Sequence, residues 1–340
     1  MKFANFGVAT AFATALTFTS PAAAQTVELS FASYLPHNHE TSTGMFAWFE
    51  KEVAERSGGT LSLKLYPAGQ LGAGGAQQYK RVVEGVADIV IGNAASTPTL
   101  FPKTLLVSLP GKSVDGEEAT RRLWSVFDQY IADEWSEVKL LAIGAAAGRL
   151  IVGNRNVSTL EGMQGAKMVP FASMATPVVQ GMGMVPVQLE VAEHYTALST
   201  GTIDAAVSPI NNLLPPWNLD EVANYAIINT PASSLPLFVA MNRQTYEGLS
   251  PEHRQVIDEI AGLPLSIALT RSFDDYDDYA LEWIDEQIKA GELKIEWIVT
   301  SDEERAKMEA AAAAAMDEVY ADYAARGIDN AREIFEALNR

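Results

Sequence analysis

Along most of the chain, hydrophobic residues recur with two different periods, one typical of β-strands and the other typical of α-helices. Residues 27–32 and 61–66 alternate apolar and polar side chains with a period of two, which predicts half-buried β-strands. Between them, Phe49 and Val53 recur at the spacing of one helical face, which predicts a helix over residues 39–56. Strands and helices continue to alternate through the middle of the chain, and this order predicts α/β lobes with largely parallel sheets.

The last third of the chain has a different pattern, which is almost entirely helical. Pro264 begins a helix that we expect to run to Gly291, with Leu269, Phe273 and Ile284 on one apolar stripe. At 1.5 Å per residue this helix would be about 40 Å long, which is longer than one lobe is wide. We therefore expect a long helix that spans both lobes of a two-lobed protein, followed by a helical C-terminus.

The N-terminal residues have the composition of a secretory signal peptide. Lys2 precedes an apolar run over residues 6–18, and small residues at 20–24 offer a cleavage site. The run is shorter than the about 20 apolar residues that span a membrane, and no later segment reaches that length. We expect a signal peptide over 1–24 and a periplasmic mature protein that does not insert into the membrane. A retained N-terminal anchor is the alternative.

Composition and charge exclude several functional classes. The chain contains no cysteine, so it has no disulfide, thiol nucleophile or thiolate metal site. Its formal net charge of −19 repels phosphate backbones, so we expect no nucleic-acid partner. The chain also lacks the nucleophile, phosphate-loop and zinc-protease motifs of common enzymes. We therefore expect a protein that is not an enzyme and needs no cofactor, with a secreted hydrolase as the alternative.

Two segments resemble signatures of the substrate-binding proteins of TRAP transporters, of the DctP type. LYPAGQLG at 65–72 is similar to the signature of the first lobe, and EHYTAL at 193–198, followed by Gly201 and Asp204, is similar to that of the second. The resemblance implies a monomer with two α/β lobes that close on a small solute. It also implies delivery to a membrane permease with a small and a large subunit. The expected lobes are 25–146 with 236–272, and 147–235 with 273–340.

Strand ends and the resemblance together predict where a ligand binds. Ligands of open α/β sheets lie beyond the carboxyl ends of the strands. Arg149 follows a run of small residues, and a guanidinium can hold a carboxylate through two parallel hydrogen bonds. The predicted substrate-binding residues are Tyr34, His37, Asn93, Arg149, Met168, Val169, Phe171, Val191, Ser208, Asn211, Trp217 and Phe238.

Two departures from the family pattern bear on the ligand. Met168 stands where the resemblance implies an arginine, and Ser208 replaces the asparagine that faces it. A thioether removes charge and donors but leaves a polarizable apolar wall. We therefore expect a small organic acid held by Arg149, a monocarboxylate with an apolar or aromatic part. A non-carboxylate solute (an amine or a neutral molecule) is one alternative, and a ligand-presenting subunit of a sensor system is another.

Two polar groups near the predicted site remain open to more than one interpretation. Glu190, at a predicted helix start, either faces an amine ligand or interacts with the helix dipole. His37 and His39 have the spacing of a metal-binding pair but lack a third placed ligand. We expect no metal site.

Overall fold

Eleven strands and eleven α-helices build the described part of the chain. The computed structural model describes residues 26–72, 74–111, 115–148, 150–170, 172–231 and 233–340. The strands are β1 (Val27–Ala32), β2 (Leu61–Tyr66), β3 (Ile89–Asn93), β4 (Val138–Gly148), β5 (Leu150–Gly153), β6 (Lys167–Val169), β7 (Val185–Pro186), β8 (Ala205–Ser208), β9 (Tyr225–Ile228), β10 (Ser233–Asn242) and β11 (Glu296–Val299). The helices are α1 (Ala47–Arg56), α2 (Gln78–Val83), α3 (Gly116–Val126), α4 (Leu160–Met163), α5 (Thr176–Gly181), α6 (Val191–Ser199), α7 (Arg243–Gly248), α8 (Pro251–Ile260), α9 (Leu263–Ala290), α10 (Asp302–Ala325) and α11 (Ala331–Leu338).

The strands form two sheets, each with helices packed around it. The first sheet has the order β2-β1-β3-β10-β4, and the second has the order β11-β9-β5-β8-β6-β7. Strand β10 is antiparallel to β3 and β4, and β5 is antiparallel to β8 and β9, whereas the other pairs are parallel. The sheets are therefore mixed, and the expectation of largely parallel sheets is corrected. Each antiparallel pair includes β5 or β10, and each of these two strands directly follows a strand of the other sheet.

In the described part of the chain, two direct strand-to-strand passages connect the sheets, and α9 makes a third connection because it leads from β10 in the first sheet toward β11 in the second. Strand β4 ends at Gly148 in the first sheet and β5 begins at Leu150 in the second, while β9 and β10 return in the opposite direction. Residues 144–148, the run of small residues before Arg149, continue β4 and pair with 233–237. The small residues here permit close packing, because a Cβ on Gly144 would lie 2.8 Å from the Thr270 side chain on α9.

Helix α9 contacts both sheets, as predicted. It contains 28 residues and is therefore about 42 Å long. Leu265 and Leu269 belong to the core of the first sheet, whereas Ala280 and Ile284 pack in the core of the second. It ends at Gly291, whose φ of 70° is the left-handed conformation that glycine adopts at helix ends. The two-lobed α/β fold with a spanning helix and a helical C-terminus is thus confirmed.

Three further features concern the termini and the membrane. The predicted signal peptide, residues 1–24, lies outside the described residues. Helix α10 packs on α5, whereas α11 packs on α3 and on the 3₁₀ helix Thr104–Ser108 of the first sheet's side. The lobe boundaries given above remain a prediction.

Among the described helices, none combines the length and the apolarity that a membrane crossing requires.

Candidate functional site

A cleft of about 400 Å³ lies between the two lobes, where strand ends from both sheets converge. Asn93 ends β3 and Tyr34 follows β1 in the first sheet, while Val169 ends β6 and Val207 lies in β8 of the second. These are carboxyl ends of strands, where an open α/β sheet places its ligand. The volume is within the range of small-molecule sites, so the cleft is the candidate ligand-binding site.

One wall of the cleft is apolar and aromatic. Trp217 and Phe273 line it, and the His39 imidazole lies between them with ring centroids 6.3 and 5.6 Å away, both in edge-on geometry. Leu235 and Leu237 of β10 complete this surface. Burial lowers the pKa of His39 to about 3, so its ring is neutral at pH 7. This wall suits a flat apolar group rather than a charged one.

Among the described residues, the charged groups of the cleft lining are the carboxylates of Glu190 and Glu193. The Ser96 hydroxyl donates to the Glu190 carboxylate at 3.2 Å, which joins the first-sheet side to the start of α6. The Glu193 carboxylate accepts the backbone N–H of Glu190 at 2.9 Å. Burial, reinforced by Glu190, raises the pKa of the Tyr34 hydroxyl well above its usual value, so Tyr34 stays protonated. Within the part of the chain that the structure describes, the cleft lining includes no lysine or arginine.

His194, on α6, is a largely buried polar group of this lining. Burial lowers its pKa to about 4, and a hydrogen bond with the Leu189 backbone partly opposes this shift. The His194 ring is therefore neutral at pH 7.

Five of the predicted contact residues line the cleft: Tyr34, Asn93, Val169, Val191 and Trp217. Two others, Arg149 and Phe171, lie outside the described residues, so their predicted roles remain predictions.

The structure places the other five predicted residues elsewhere, for reasons of local geometry. Met168 points to the opposite face of β6 from Val169, because side chains alternate along a strand. It lines a separate apolar pocket of about 50 Å³ with Met163, Met182 and Met184. Phe238 likewise points away from Leu237. It packs among Tyr79, Phe101 and Trp135.

The remaining predicted residues are polar. The Ser208 hydroxyl is buried and accepts a hydrogen bond of 2.8 Å from the Asn212 side chain. Asn212 lines the cleft, whereas Ser208 does not. Asn211 is turned toward Glu40 behind the cleft. His37 is exposed to solvent, since it lies in the loop that precedes α1.

Glu40, Asn211 and Asp277 form a buried polar cluster behind the aromatic wall. The Asn211 side-chain amide donates to Glu40 at 2.9 Å, and its backbone N–H donates to Asp277 at 2.8 Å. Burial raises the pKa of Glu40 to about 8, and the Asp277 carboxylate contributes, whereas the hydrogen bond from Asn211 acts against the shift. The cluster joins the start of the π-helix Thr41–Phe46 that leads into α1, the 3₁₀ helix Ile210–Leu213 and α9, so it links elements of both lobes.

Sequence reasoning missed several lining residues, among them His194, Asn212 and Phe273. For His194 a signal existed, because it lies three residues after Val191 and therefore on the same face of α6. Across the described segments, no three His, Asp or Glu side chains converge in a way that could hold a metal ion.

Comparison with known proteins agrees with this architecture. Residues 31–323 match the model of the DctP family, described as bacterial extracellular solute-binding protein, family 7. Over 62% of its length, this chain is 31% identical to the 2,3-diketo-L-gulonate-binding periplasmic protein of Escherichia coli. That match spans 64% of the relative, which is less than two thirds.

Solved structures extend the likeness to nearly the whole chain. A marine metagenome TRAP solute-binding protein specific for aromatic acids, with 3-hydroxybenzoate bound, has a TM-score of 0.85 and 26% identity, covering 93% of this chain and 97% of that one. A TRAP solute-binding protein from Rhodoferax ferrireducens with copurified benzoate has a TM-score of 0.83 and 25% identity, covering 92% and 97%. With its two sheets, spanning helix and interlobar cleft, the chain belongs to the DctP family of bacterial extracellular solute-binding proteins.

Proposed function

We propose that this protein is the extracytoplasmic solute-binding component of a TRAP-type transporter, which captures a small organic acid and delivers it to the membrane permease. The observation that carries the proposal is the cleft of about 400 Å³ lined by elements of both lobes. A solute that contacts both lobes stabilises their closed arrangement, and closure excludes water from it. The solute leaves unchanged, so this function needs no catalytic group.

The ligand class that we propose is a monocarboxylate with an apolar or aromatic part. Trp217, Phe273, Leu235 and Leu237 form the apolar wall that such a group requires. The aromatic-acid-specific and benzoate-bound relatives support the same class. The carboxylate anchor that the sequence predicts is Arg149, through a bidentate hydrogen bond.

A non-carboxylate solute is the second candidate, and one observation favours it. Glu190 and Glu193 line the cleft, while its described lining has no cationic side chain. An ammonium group of the solute would be attracted to these two carboxylates, whereas a third carboxylate would be repelled by them. The ligand class is therefore decided by the charge of the solute rather than by its shape.

Three ligands of nearly equal shape separate the candidates. Benzoate is negatively charged, benzylamine is positively charged and benzyl alcohol is neutral, and all three contain the same phenyl ring. The affinity of each is measured by titration calorimetry. We expect benzoate to bind at least tenfold more tightly than the other two, which corresponds to about 1.4 kcal/mol. Tighter binding of benzylamine would overturn the acid assignment and support the second candidate.

The anchor is tested by Arg149→Ala. Loss of a buried charge-assisted hydrogen bond should weaken benzoate binding about a hundredfold. Arg155→Ala is the matched control, because the exposed Arg155 side chain donates to the Gln164 carbonyl at 2.7 Å outside the cleft. If the Arg149 variant keeps the affinity of the wild type, the anchoring role is wrong.

The partners and location follow from the same function. We propose a periplasmic monomer, exported through a cleavable signal peptide, that docks on a permease with a small and a large subunit. Transport by reconstituted permease should require the loaded protein. Should the protein instead stimulate a sensor kinase without supporting uptake, the role of a ligand-presenting sensor subunit would replace this one.

A further inference from the structure

We propose that a pocket lined by four methionines is a second subsite of the ligand cleft, which takes a short alkyl substituent of the solute. The four residues are Met163, Met168, Met182 and Met184, and the space that they line is called the methionine pocket below. The inference rests on the proposed function, since it assumes that the interlobar cleft holds the solute. It narrows that function to acids whose apolar part extends beyond a single ring.

The methionine pocket adjoins the cleft. Pro170, directly after β6, and Val207, in β8, line both spaces. Strands β6 and β8 are parallel neighbours, so their carboxyl ends lie at the same edge of the second sheet. A solute in the cleft therefore reaches the pocket by extending past this edge.

One wall of the methionine pocket is a face of the second sheet. Ile151 pairs with Val207 between β5 and β8, and Met168 pairs with Ala205, two residues before Val207. Side chains two residues apart lie on the same face of a strand, so Ile151, Met168 and Val207 share one face. Val179 of α5 also lines the pocket.

Both sheets contribute to the methionine pocket, as they do to the cleft. Ser233 begins β10 of the first sheet, whereas Met168 lies in β6 of the second. A substituent in the pocket would therefore add contacts with elements of both sheets. Such contacts favour the arrangement in which the two lobes are closed.

The lining of the pocket selects an apolar group. Among the described residues that line it, no side chain is charged, and the polar ones are Ser108, Thr230 and Ser233. A carboxylate that entered this space would lose its hydration without gaining a cationic partner among these residues, which is costly. The acid group of the solute should therefore remain in the cleft, while its apolar end enters the pocket.

Methionine suits a wall that adapts to a substituent. Its side chain is unbranched, with three rotatable bonds and a polarizable sulfur, so it can adjust to the shape of a neighbouring group. All four methionines of the pocket are less than one-tenth exposed, so they belong to the interior and not to the solvated surface.

The size of the pocket sets the length of the substituent. Its volume is about 50 Å³, whereas one water molecule takes about 30 Å³ in the liquid and a methylene group is of similar size. The space therefore fits about two carbon atoms, as in an ethyl group. Protein interiors contain few voids larger than a water molecule, and the lining of an empty void lacks dispersion contacts that an alkyl group would supply.

The first test is a series of alkylated ligands with the wild-type protein. Benzoate and its 3- and 4-methyl, ethyl and butyl derivatives are titrated calorimetrically. Each buried carbon should raise the affinity about fourfold, so at least one ethylbenzoate should bind about tenfold more tightly than benzoate. The butyl derivative should gain nothing beyond the ethyl one. A series without any gain, or one that still rises at the butyl derivative, would overturn the proposal.

Two variants change the size of the pocket in opposite directions. Ala175→Val adds two methyl groups to the lining, and it should reduce the preference for ethylbenzoate over benzoate to below about twofold. Met182→Ala enlarges the pocket, and it should move the tightest binding from the ethyl to the butyl derivative. Affinities are compared as ratios within each protein, and if one variant does not fold, the other decides. Wild-type ratios in the folded variants would contradict the subsite.

Met316→Ala is the matched control for Met182→Ala. Met316 lies on α10 and packs against the same core, but it lines neither the cleft nor the methionine pocket. This variant should keep the wild-type order of the ligands. The two variants make the same chemical change, so an equal shift in both would show a global effect and refute the subsite.

The ligand series also keeps the two proposals apart. If the wild type binds benzylamine but no benzoate, the proposed acid class fails, and the series is repeated with 3- and 4-ethylbenzylamine. A gain from the ethyl group that Ala175→Val removes supports the methionine pocket with either charge, and its absence refutes the pocket alone. Binding of neither the acids nor the amines would contradict both proposals.

Discussion

Replacing Glu40 by glutamine should make the stability of the protein less dependent on pH above neutrality. Glu40 is 6% exposed and accepts a hydrogen bond from Asn211, with Asp277 also bonded to Asn211. Glutamine keeps an oxygen that accepts this bond but cannot ionise. The substitution therefore removes one titration while leaving the contact between the two lobes in place.

The magnitude follows from the pKa of Glu40. Its pKa rises from 4.5 to about 8 in the native state, so the folded protein holds a proton that the unfolded chain has released. The resulting stability is fully present below pH 4.5 and is lost as the pH rises through 8. Between pH 7 and pH 9 the loss amounts to about 1.4 kcal/mol.

Other buried groups act mainly outside this window. The pKa values of His39 and His194 are lowered to about 3 and about 4, so both rings are neutral above pH 7 in the folded and the unfolded chain. Burial raises the pKa of Glu134 to about 7, so its contribution is nearly complete at pH 7. Glu40 is therefore the main contributor to the change above neutrality.

Urea unfolding, followed by tryptophan fluorescence at pH 7, 8 and 9, measures the effect. The free energy of unfolding of the wild type should fall over this range by about 1.4 kcal/mol more than that of Glu40→Gln. Glu50→Gln, at an exposed position on α1, should behave as the wild type does. Equal pH profiles for the wild type and Glu40→Gln would refute the reasoning.

Two further predictions concern packing and the aromatic wall. Gly92→Ala should lower the free energy of unfolding by about 1–3 kcal/mol in urea titrations, because the new Cβ would lie 2.3 Å from the confined ring of Phe238; an unchanged midpoint would show that the ring can move. Trp217→Ala should weaken benzoate binding about tenfold by calorimetry, because it removes a flat apolar surface from the cleft. An unaltered affinity would place the ligand away from this wall.

The sequence predicts the fold well where local pattern alone decides the outcome. The alternating residues of β1 and β2 and the apolar stripe of α9 are all found in place. The short strand β11 (Glu296–Val299) was missed, because four residues at a sheet edge carry too weak a pattern within a helical region. The segment of α3 (Gly116–Val126) likewise received no prediction.

The cleft is less predictable because it depends on which face of each strand is turned inward. On β10, Leu235 and Leu237 line the cleft, whereas the predicted Phe238 points the other way. A register error of one residue exchanges the two faces of a strand, and the same effect separates Val169 from Met168. The sequence thus locates the strand ends that meet at the cleft, but only some of the side chains that line it.

Contacts between distant residues leave no local pattern at all. Glu40 and Asn211 are 171 positions apart, and only the folded chain brings them together.

Native mass spectrometry tests most directly whether the two lobes trap one small molecule intact. The mature protein is incubated with an equimolar mixture of aromatic acids, amines and alcohols, and the mass of the intact complex is measured. The bound molecule is then released in the spectrometer, and its own mass is measured. The account predicts one adduct per chain, an acid whose mass is unchanged after release. No adduct, several adducts per chain, or a released molecule of altered mass would contradict it.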